Sequence, residues 1–527
     1  MNPQPQTTNP MPDRLGFWWI AEDHPNLPAI LSSPSGTLTF GELAHKAHQI
    51  THALHNAGLR RGDVVAALLP NDYHLVAWLL ACEQSGLYLA MINPRSSKQE
   101  IDAVLEASTA AALVFDADQA EVVSEIARCQ NLRALVSVGE APNITSVDTF
   151  CAPHPTTMPA ERSPGLFFAF SSGTTGKPKG IKRPLPEGDP SKVAHDAALT
   201  GRAFTLAALR GSLLMTAGMF HGGSRVFYMA ALNMGQALVI HPRFDAEQML
   251  QAIQTHRITT VYAVPMMFHR LLKLPETTRA SYDISSLEVV VHGAAPCSPA
   301  VKHRMMDWWG PVLWDTYGGT EGGATIAKPY RWLEKPGTVG RSVRGVTVTI
   351  RNDKGELLGP NEVGEVFIDM GKRLFEYAGD PAQTEEVFQD TAFTIGDLGY
   401  LDEDGYLFLA DRKKDMIISG GVNIYPLEIE NILATHPAVA ETAVIGIPDE
   451  EWGEQVKAVV EPTIDLPTDE AKAALEDELI ALCKQRLASS KCPRSVDFVT
   501  ELPRSDTGKL LKREIRNSYW AASGRQI

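Results

Sequence analysis

The densest run of chemistry-bearing residues is Ser171-Ser172-Gly173-Thr174-Thr175-Gly176-Lys177-Pro178-Lys179-Gly180. Glycines permit a tight loop whose N–H groups face inward. Consecutive hydroxyls and free amides donate to phosphate oxygens, and the lysines neutralise phosphate charge. The apolar run Leu166 to Phe170 enters this loop as a strand, which is how a nucleotide site is built. The pattern is not a Walker A loop, which needs four residues between its glycines and then Lys and Ser/Thr. Here Thr174 and Thr175 alone separate Gly173 from Gly176, and Pro178 follows Lys177. Farther on, Asp315-Thr316-Tyr317-Gly318-Gly319-Thr320-Glu321 offers a hydroxyl for a phosphate at Thr320 and a hard oxygen ligand for Mg2+ at Glu321. Tyr317 adds a ring for stacking on adenine. Alone, this segment reads as a glycine turn; after a phosphate loop it reads as part of the same site.

The elements that must position these loops follow an α/β pattern. Phe40 to Ala57 has helical spacing, Asp63 to Leu69 reads as a strand, His74 to Gln84 as a helix and Ala111 to Phe115 as a strand. Such alternation predicts layered parallel strands. A Pro-rich surface linker, Ala152 to Pro164, follows, and the pattern resumes at Leu166 to Phe170, Ala237 to Ile240, Thr259 to Val264 and Leu287 to Val291. From about Gly340, short runs such as Val346 to Ile350 and Val366 to Ile368 predict a β-rich part. The apolar runs Ile429 to Leu433, Ala440 to Ile447, Val456 to Val460 and Val496 to Val499, with a helix around Ala471 to Arg486, predict a compact α+β tail.

At 527 residues the chain is too long for one core. Its formal charge of −15 argues against a nucleic-acid surface, which needs clustered cations. The 6 cysteines form no CxxC pair, so reduced, packed thiols are expected rather than zinc or redox sites. The N-terminus lacks the basic-then-apolar order of a signal peptide. No apolar run reaches the roughly 20 residues of a membrane helix. The expected location is cytoplasmic.

The run SSGTTGKPKG resembles the phosphate-loop signature of the adenylate-forming superfamily, which holds acyl- and aryl-CoA ligases, firefly luciferases and peptide-synthetase adenylation domains. Further segments resemble the family's motifs in the family's order, from about Leu38 to Ile515. By that resemblance Ser171, Ser172, Gly173, Thr174, Thr175 and Lys179 hold phosphates, with Thr175 also catalytic. Gly293-Ala294-Ala295-Pro296 resembles the adenine-binding turn, and Asp315, Thr316, Tyr317 and Thr320 belong to the nucleotide site. Thr394-Ile395-Gly396-Asp397 is similar to the TGDxG motif with an inserted Ile, and its Asp397 would accept the ribose hydroxyls. Arg412 would hold ribose or phosphate, Lys414 is the hinge residue, and Gly420 and Gly421 line the pantetheine channel. Lys509, in Gly508-Lys509, matches the catalytic lysine. Met219-Phe220-His221-Gly222-Gly223 resembles the segment beside the acyl pocket, to which Gly318 and Gly319 also belong; His221 and Glu321 are catalytic candidates, Glu321 as metal ligand. Many relatives carry a Thr-His pair where Ile181-Lys182-Arg183-Pro184 stands here.

The resemblance implies an α/β fold: a large N-terminal adenylation domain, 1–411, of two α/β layered subdomains plus a β-rich one, a hinge at 412–415, and a small mobile α+β C-terminal domain, 416–527. It implies activation of a carboxylic acid by ATP and Mg2+ to acyl-AMP and pyrophosphate, then thioester formation with CoA. The partners are small molecules, and a homodimer is open. Transfer to a carrier protein is the alternative; the end at Ile527 leaves no room for a fused carrier, which favours a diffusible thiol. A luciferase-type oxidase has no specific support, and a catalytically dead nucleotide sensor would have lost Lys509, Glu321 and Asp397. Gly319 as a pocket floor, with Phe220, Phe227 and Tyr228 as walls, predicts a sizeable hydrophobic acid, fatty or ring-bearing.

Overall fold

The computed structural model describes residues 14–127, 131–172, 178–505 and 510–522, and of residues 127, 171, 172, 178 and 522 the backbone alone. The phosphate-loop residues Gly173, Thr174 and Thr175 and the candidate Lys509 lie outside the described residues. The chain divides into two compact units, Met1–Tyr262 with Glu276–Val291 and Leu374–Glu386, and Ala263–Pro275 with His292–Arg373 and Val387–Ile527.

In the first unit, helices start where the sequence supplies caps. Thr39 and Glu42 form a reciprocal capping box at the head of Phe40–Asn56, and Ser97 and Glu100 another at Lys98–Ser108. The strands Val64–Leu68 and Tyr88–Met91 are buried at every position, as expected of parallel strands covered on both faces. They lie in a sheet ordered Glu376–Tyr377, Pro178–Lys182, Leu166–Ser172, Tyr88–Met91, Val64–Leu68, Ala112–Asp116, Ala134–Val138, Thr145–Ser146. In a second sheet, Ser212–Met215 pairs in parallel with both Ala237–Ile240 and Thr260–Ala263. The parallel strands end side by side, and the loops leaving such carboxyl ends are where open α/β sheets bind ligands.

The second unit holds the antiparallel run Thr347–Arg351, Gly364–Asp369, Ala392–Leu401, Leu407–Arg412, Thr338–Ser342, Gly322–Ala327, Leu313–Gly319. Its tail is a separate sheet of Val422–Ile424, Ile417–Ser419, Gly453–Pro462 and Val439–Asp449, with Ser495–Phe498 parallel to Gly453–Pro462. Ile429 and Leu433 belong to the helix Pro426–Leu433, opened by a proline in its first turn. They pack with Ile417, Val444 and Leu479 in one apolar cluster.

Candidate functional site

In the first unit, Leu166–Ser172 and Pro178–Lys182 are antiparallel, with Phe170 opposite Gly180 and Ser171 opposite Lys179. The strands on either side of the phosphate loop are therefore antiparallel neighbours, and the returning strand was not legible in the sequence. Gly180 is closely packed: a Cβ there would lie 3.0 Å from the rings of both Phe168 and Phe170. Lys179 Nζ stands 5.6 Å from the centre of the Tyr377 ring. The departure at Ile181-Lys182-Arg183-Pro184 has a local explanation in packing. The Tyr88 hydroxyl donates to the Arg183 carbonyl at 2.6 Å, and Lys182 lies over the Tyr88 ring.

The segment leading to His221 leaves the end of Ser212–Met215 and is held by Asn71. The Asn71 amide donates to the Ala217 carbonyl at 2.8 Å, and its oxygen accepts the Met219 N–H at 2.8 Å. Asn71 is 3% exposed, and sequence reading missed it. Phe220 and His221 are in ring contact at 4.3 Å, and His221 caps the helix Gly222–Asn233. Of the expected aromatic walls, Phe227 stacks on Tyr262 at 4.9 Å and 17°. Tyr228 turns elsewhere: its hydroxyl reaches the Met91 sulfur of the other sheet at 3.9 Å, because successive residues on a helix point about 100° apart.

The strand Val289–His292, of which only His292 belongs to the second unit, runs into the Gly293-Ala294-Ala295 turn. Ala294 takes a left-handed conformation, φ 66°, and a Cβ on Gly293 would sit 2.6 Å from the Thr316 carbonyl oxygen. The turn is thus pressed against the strand Leu313–Gly319. Beneath it lies a charge pair that the sequence hid: Lys302 Nζ, fully enclosed, contacts Asp315 Oδ2 at 3.1 Å. Lys302 also stands over the Trp332 ring at 4.6 Å. His292 Nε2 is 3.6 Å from the same carboxylate oxygen. Distance alone would make His292 a second cation, but burial pushes its pKa down to about 3, so it is neutral at physiological pH. Asp315 therefore directs its carboxylate inward to Lys302.

On the strand Ala392–Leu401, Asp397 faces Arg412 of Leu407–Arg412 in register. Asp397 is 8% exposed, not a solvated turn residue. Its carboxylate accepts the Tyr317 hydroxyl at 2.9 Å on one oxygen and lies 3.3 Å from Arg412 Nε on the other. Burial and the Asp397 charge hold the Tyr317 phenol well above its ordinary pKa, so it remains a donor. Thr316 and Thr320 lie on the same hairpin as Tyr317, half-buried, with the Thr316 hydroxyl donating to the Thr325 carbonyl at 3.3 Å.

The two glycines assigned to the acyl pocket, Gly318 and Gly319, sit in different packing. A Cβ at Gly319 would lie 2.6 Å from Glu321 Oε2 and 3.2 Å from Ile395, and one at Gly318 would lie 2.5 Å from the Gly322 carbonyl. Gly318 is required by the tight hairpin Leu313–Gly319 and Gly322–Ala327, where its neighbours are backbone, whereas Gly319 faces the Glu321 and Ile395 side chains.

Lys414 is half-buried beside Arg412 and Asp415, and burial and then Arg412 lower its pKa. Next to it the Asp411 carboxylate accepts the Leu427 N–H at 2.9 Å and lies 3.9 Å from Lys512, which also pairs with Glu430 at 2.8 Å. The hairpin Ile417–Ser419 and Val422–Ile424 carries Gly420 and Gly421, both at positive φ, 56° and 79°. A Cβ on Gly420 would meet the Trp452 ring at 2.4 Å, so only glycine lets that ring lie on the turn. Among the described residues no group of three or more His, Cys, Asp or Glu is placed to hold a metal, and no helix is long and apolar enough to cross a membrane. The described cysteines Cys82, Cys151, Cys297, Cys483 and Cys492 are free thiols.

Comparison with known proteins agrees with this geometry. Residues 17–375 match the model of the AMP-binding enzyme family, and residues 428–509 that of the AMP-binding enzyme C-terminal domain. The chain is 34% identical over 515 residues to a feruloyl-CoA synthase of Amycolatopsis, covering 96% of this chain and 99% of that one. It is 30% identical over 488 residues to the long-chain-fatty-acid–CoA ligase FadD13 of Mycobacterium tuberculosis, covering 92% and 93%. The structure of ATP-bound MatB from Rhodopseudomonas palustris superposes with a TM-score of 0.83 at 26% identity over 96% and 99% of the two chains. The chain belongs to the AMP-binding enzyme family, in its acyl-CoA ligase branch, and uses ATP to activate a carboxylic acid.

Proposed function

We propose that this enzyme activates a sizeable hydrophobic acid, ring-bearing before plain aliphatic, and passes the acyl group from AMP to CoA. The observation that carries the nucleotide half is the Asp397 carboxylate, held between Tyr317 and Arg412. A carboxylate fixed by two donors keeps lone pairs oriented for a diol, as the ribose of ATP presents. Feruloyl-CoA synthase as a relative supports the aryl acid, and the fatty-acid ligase supports an apolar one.

The carboxylate of the acid attacks the α-phosphorus and expels pyrophosphate. Catalysis of such a step is mainly positioning and charge stabilisation. In this reading Ser171, Ser172, Gly173, Thr174, Thr175 and Lys179 hold the phosphates, and Lys509 neutralises charge beside the reacting carboxylate. The Gly293–Ala295 turn, with Asp315, Thr316, Tyr317 and Thr320, receives the nucleotide. Glu321 would be the protein ligand of Mg2+, which takes one or two carboxylates and otherwise phosphate and water, so one half-buried carboxylate fits it. When bound, Mg2+ neutralises the leaving pyrophosphate. His221 and Phe220 border the acyl group. Rotation at Lys414 then exchanges Lys509 for the Gly420–Gly421 turn, which admits the thiol; residues 1–411 and 416–527 are the moving bodies. The absence of a membrane-spanning helix among the described residues and the use of ATP and CoA fit a cytoplasmic enzyme.

The test is the acceptor. With enzyme, ATP, Mg2+ and a cinnamic acid, acyl-AMP should accumulate until CoA is added, when AMP and the CoA thioester should appear together. AMP release that requires a carrier protein and ignores CoA overturns the acceptor assigned here.

A further inference from the structure

Tyr262 lies in the strand Thr260–Ala263, opposite Met215, whose strand leads directly into the His221 segment. It is 3% exposed, and its ring stacks on Phe227 of the helix Gly222–Asn233. Among the described residues its hydroxyl has no hydrogen-bond partner. The ring is buried while the hydroxyl oxygen keeps some contact with solvent, so it is open to a partner from outside the fold. The hydroxyl is aimed at the head of the helix that His221 caps: a Cβ built on Gly223 would lie 2.6 Å from it. Gly223 itself is exposed, so the hydroxyl stands beneath a bare glycine that opens to solvent. The same helix end presents first-turn N–H groups, which favour electron-rich oxygen. Asn71 fixes the segment just before it, so the arrangement is rigid.

A hydroxyl without a protein partner, held at the end of a buried ring and packed against an exposed glycine, is what a site for a polar substituent requires. The flanking rings of Phe227 and Tyr262 suit a flat arene more than a flexible chain. We propose that Tyr262 is a specificity-determining residue of the acyl site, and that its hydroxyl hydrogen-bonds an oxygen substituent on the ring of an aryl acid. The substrate class is then hydroxylated or alkoxylated aryl acids. This rests on the reading that the His221 segment borders the acyl group.

The experiment compares the full-length wild type with Tyr262→Phe, which removes one oxygen and keeps the stacked ring. Thioester formation is followed with 4-hydroxycinnamic acid, unsubstituted cinnamic acid and octanoic acid, at saturating ATP and CoA. Wild type should prefer the hydroxylated acid over cinnamic acid by about tenfold in kcat/KM, the size of one buried hydrogen bond. Tyr262→Phe should erase that preference through loss on the hydroxylated acid, leaving cinnamic acid within about twofold and the KM for ATP unchanged. An undiminished preference in the variant, an equal loss on all three acids, or a wild type that favours octanoic acid overturns the assignment while leaving the ligase reading intact. Absence of thioester from every acid overturns the ligase reading itself, and this one with it.

Discussion

The two polar centres described here are built in opposite ways. In the strands around Asp397, each of the central groups already has a protein partner: Tyr317 and Arg412 hold Asp397, and Lys302 holds Asp315. Around the His221 segment the backbone is clamped by Asn71, yet the Tyr262 hydroxyl is left unpaired among the described residues. A nucleotide is the same in every turnover of every relative, so its receptor can be prebuilt and neutralised in advance. The acid differs between relatives, so its receptor keeps an uncommitted group on a rigid frame. Rigidity is common to both centres, and the difference lies in whether the final hydrogen bond is made by protein or by ligand.

Breaking the prebuilt side should cost most. Lys302→Met leaves Asp315 buried without its cation and should destabilise the fold by about 3–5 kcal/mol in denaturant titration. Lys302→Met with Asp315→Leu should recover most of that stability, because the uncompensated charge is gone. Asp397→Ala removes an oriented carboxylate without disturbing the core as deeply. It should lower kcat/KM for ATP by roughly 100-fold, as expected for two charge-assisted hydrogen bonds.

Acid acts more gently, through histidines buried in both units. Burial pushes the pKa of His48 and His269 down to about 4 and that of His292 to about 3, from 6.5. Between 6.5 and those values the unfolded chain binds more protons than the folded one. Their contribution to stability is therefore complete above pH 6.5 and is lost as the pH falls through the folded values. Thermal melts should show a loss on the order of a few kcal/mol between pH 7 and 4, reduced in His292→Leu. The smallest effect belongs to the open side. Gly223→Ala places a methyl against the Tyr262 hydroxyl and should cost about 1 kcal/mol. That cost should vanish in the Tyr262→Phe background, a non-additivity that melts of the four proteins would measure.

Much of the fold was legible because buried parallel strands announce themselves: Val64–Leu68 and Ala237–Ile240 are uninterrupted apolar runs. Pro178–Lys182 was not legible, since Pro, Lys and Gly deny it that pattern. The packing at Gly319 was not legible either, because spacing does not reveal a glycine's neighbours, here Glu321 and Ile395. Lys302 reads in sequence as one more solvated helix lysine, and only the fold brings it to Asp315. Tyr262 is hidden for the opposite reason: in an apolar strand a tyrosine reads as core, and nothing in the sequence says that its hydroxyl lacks a partner. Asn71, after a buried strand, carried no signal beyond its polarity.

The most direct test of the account is acid-dependent exchange of labelled pyrophosphate into ATP by the purified full-length enzyme, with Mg2+ and without CoA. The account predicts exchange that requires the aryl acid, is lost in Asp397→Ala, and gives way to stoichiometric AMP and acyl-CoA once CoA is present. Exchange that proceeds without any acid, or turnover that yields ADP and phosphate in place of AMP and pyrophosphate, would contradict it.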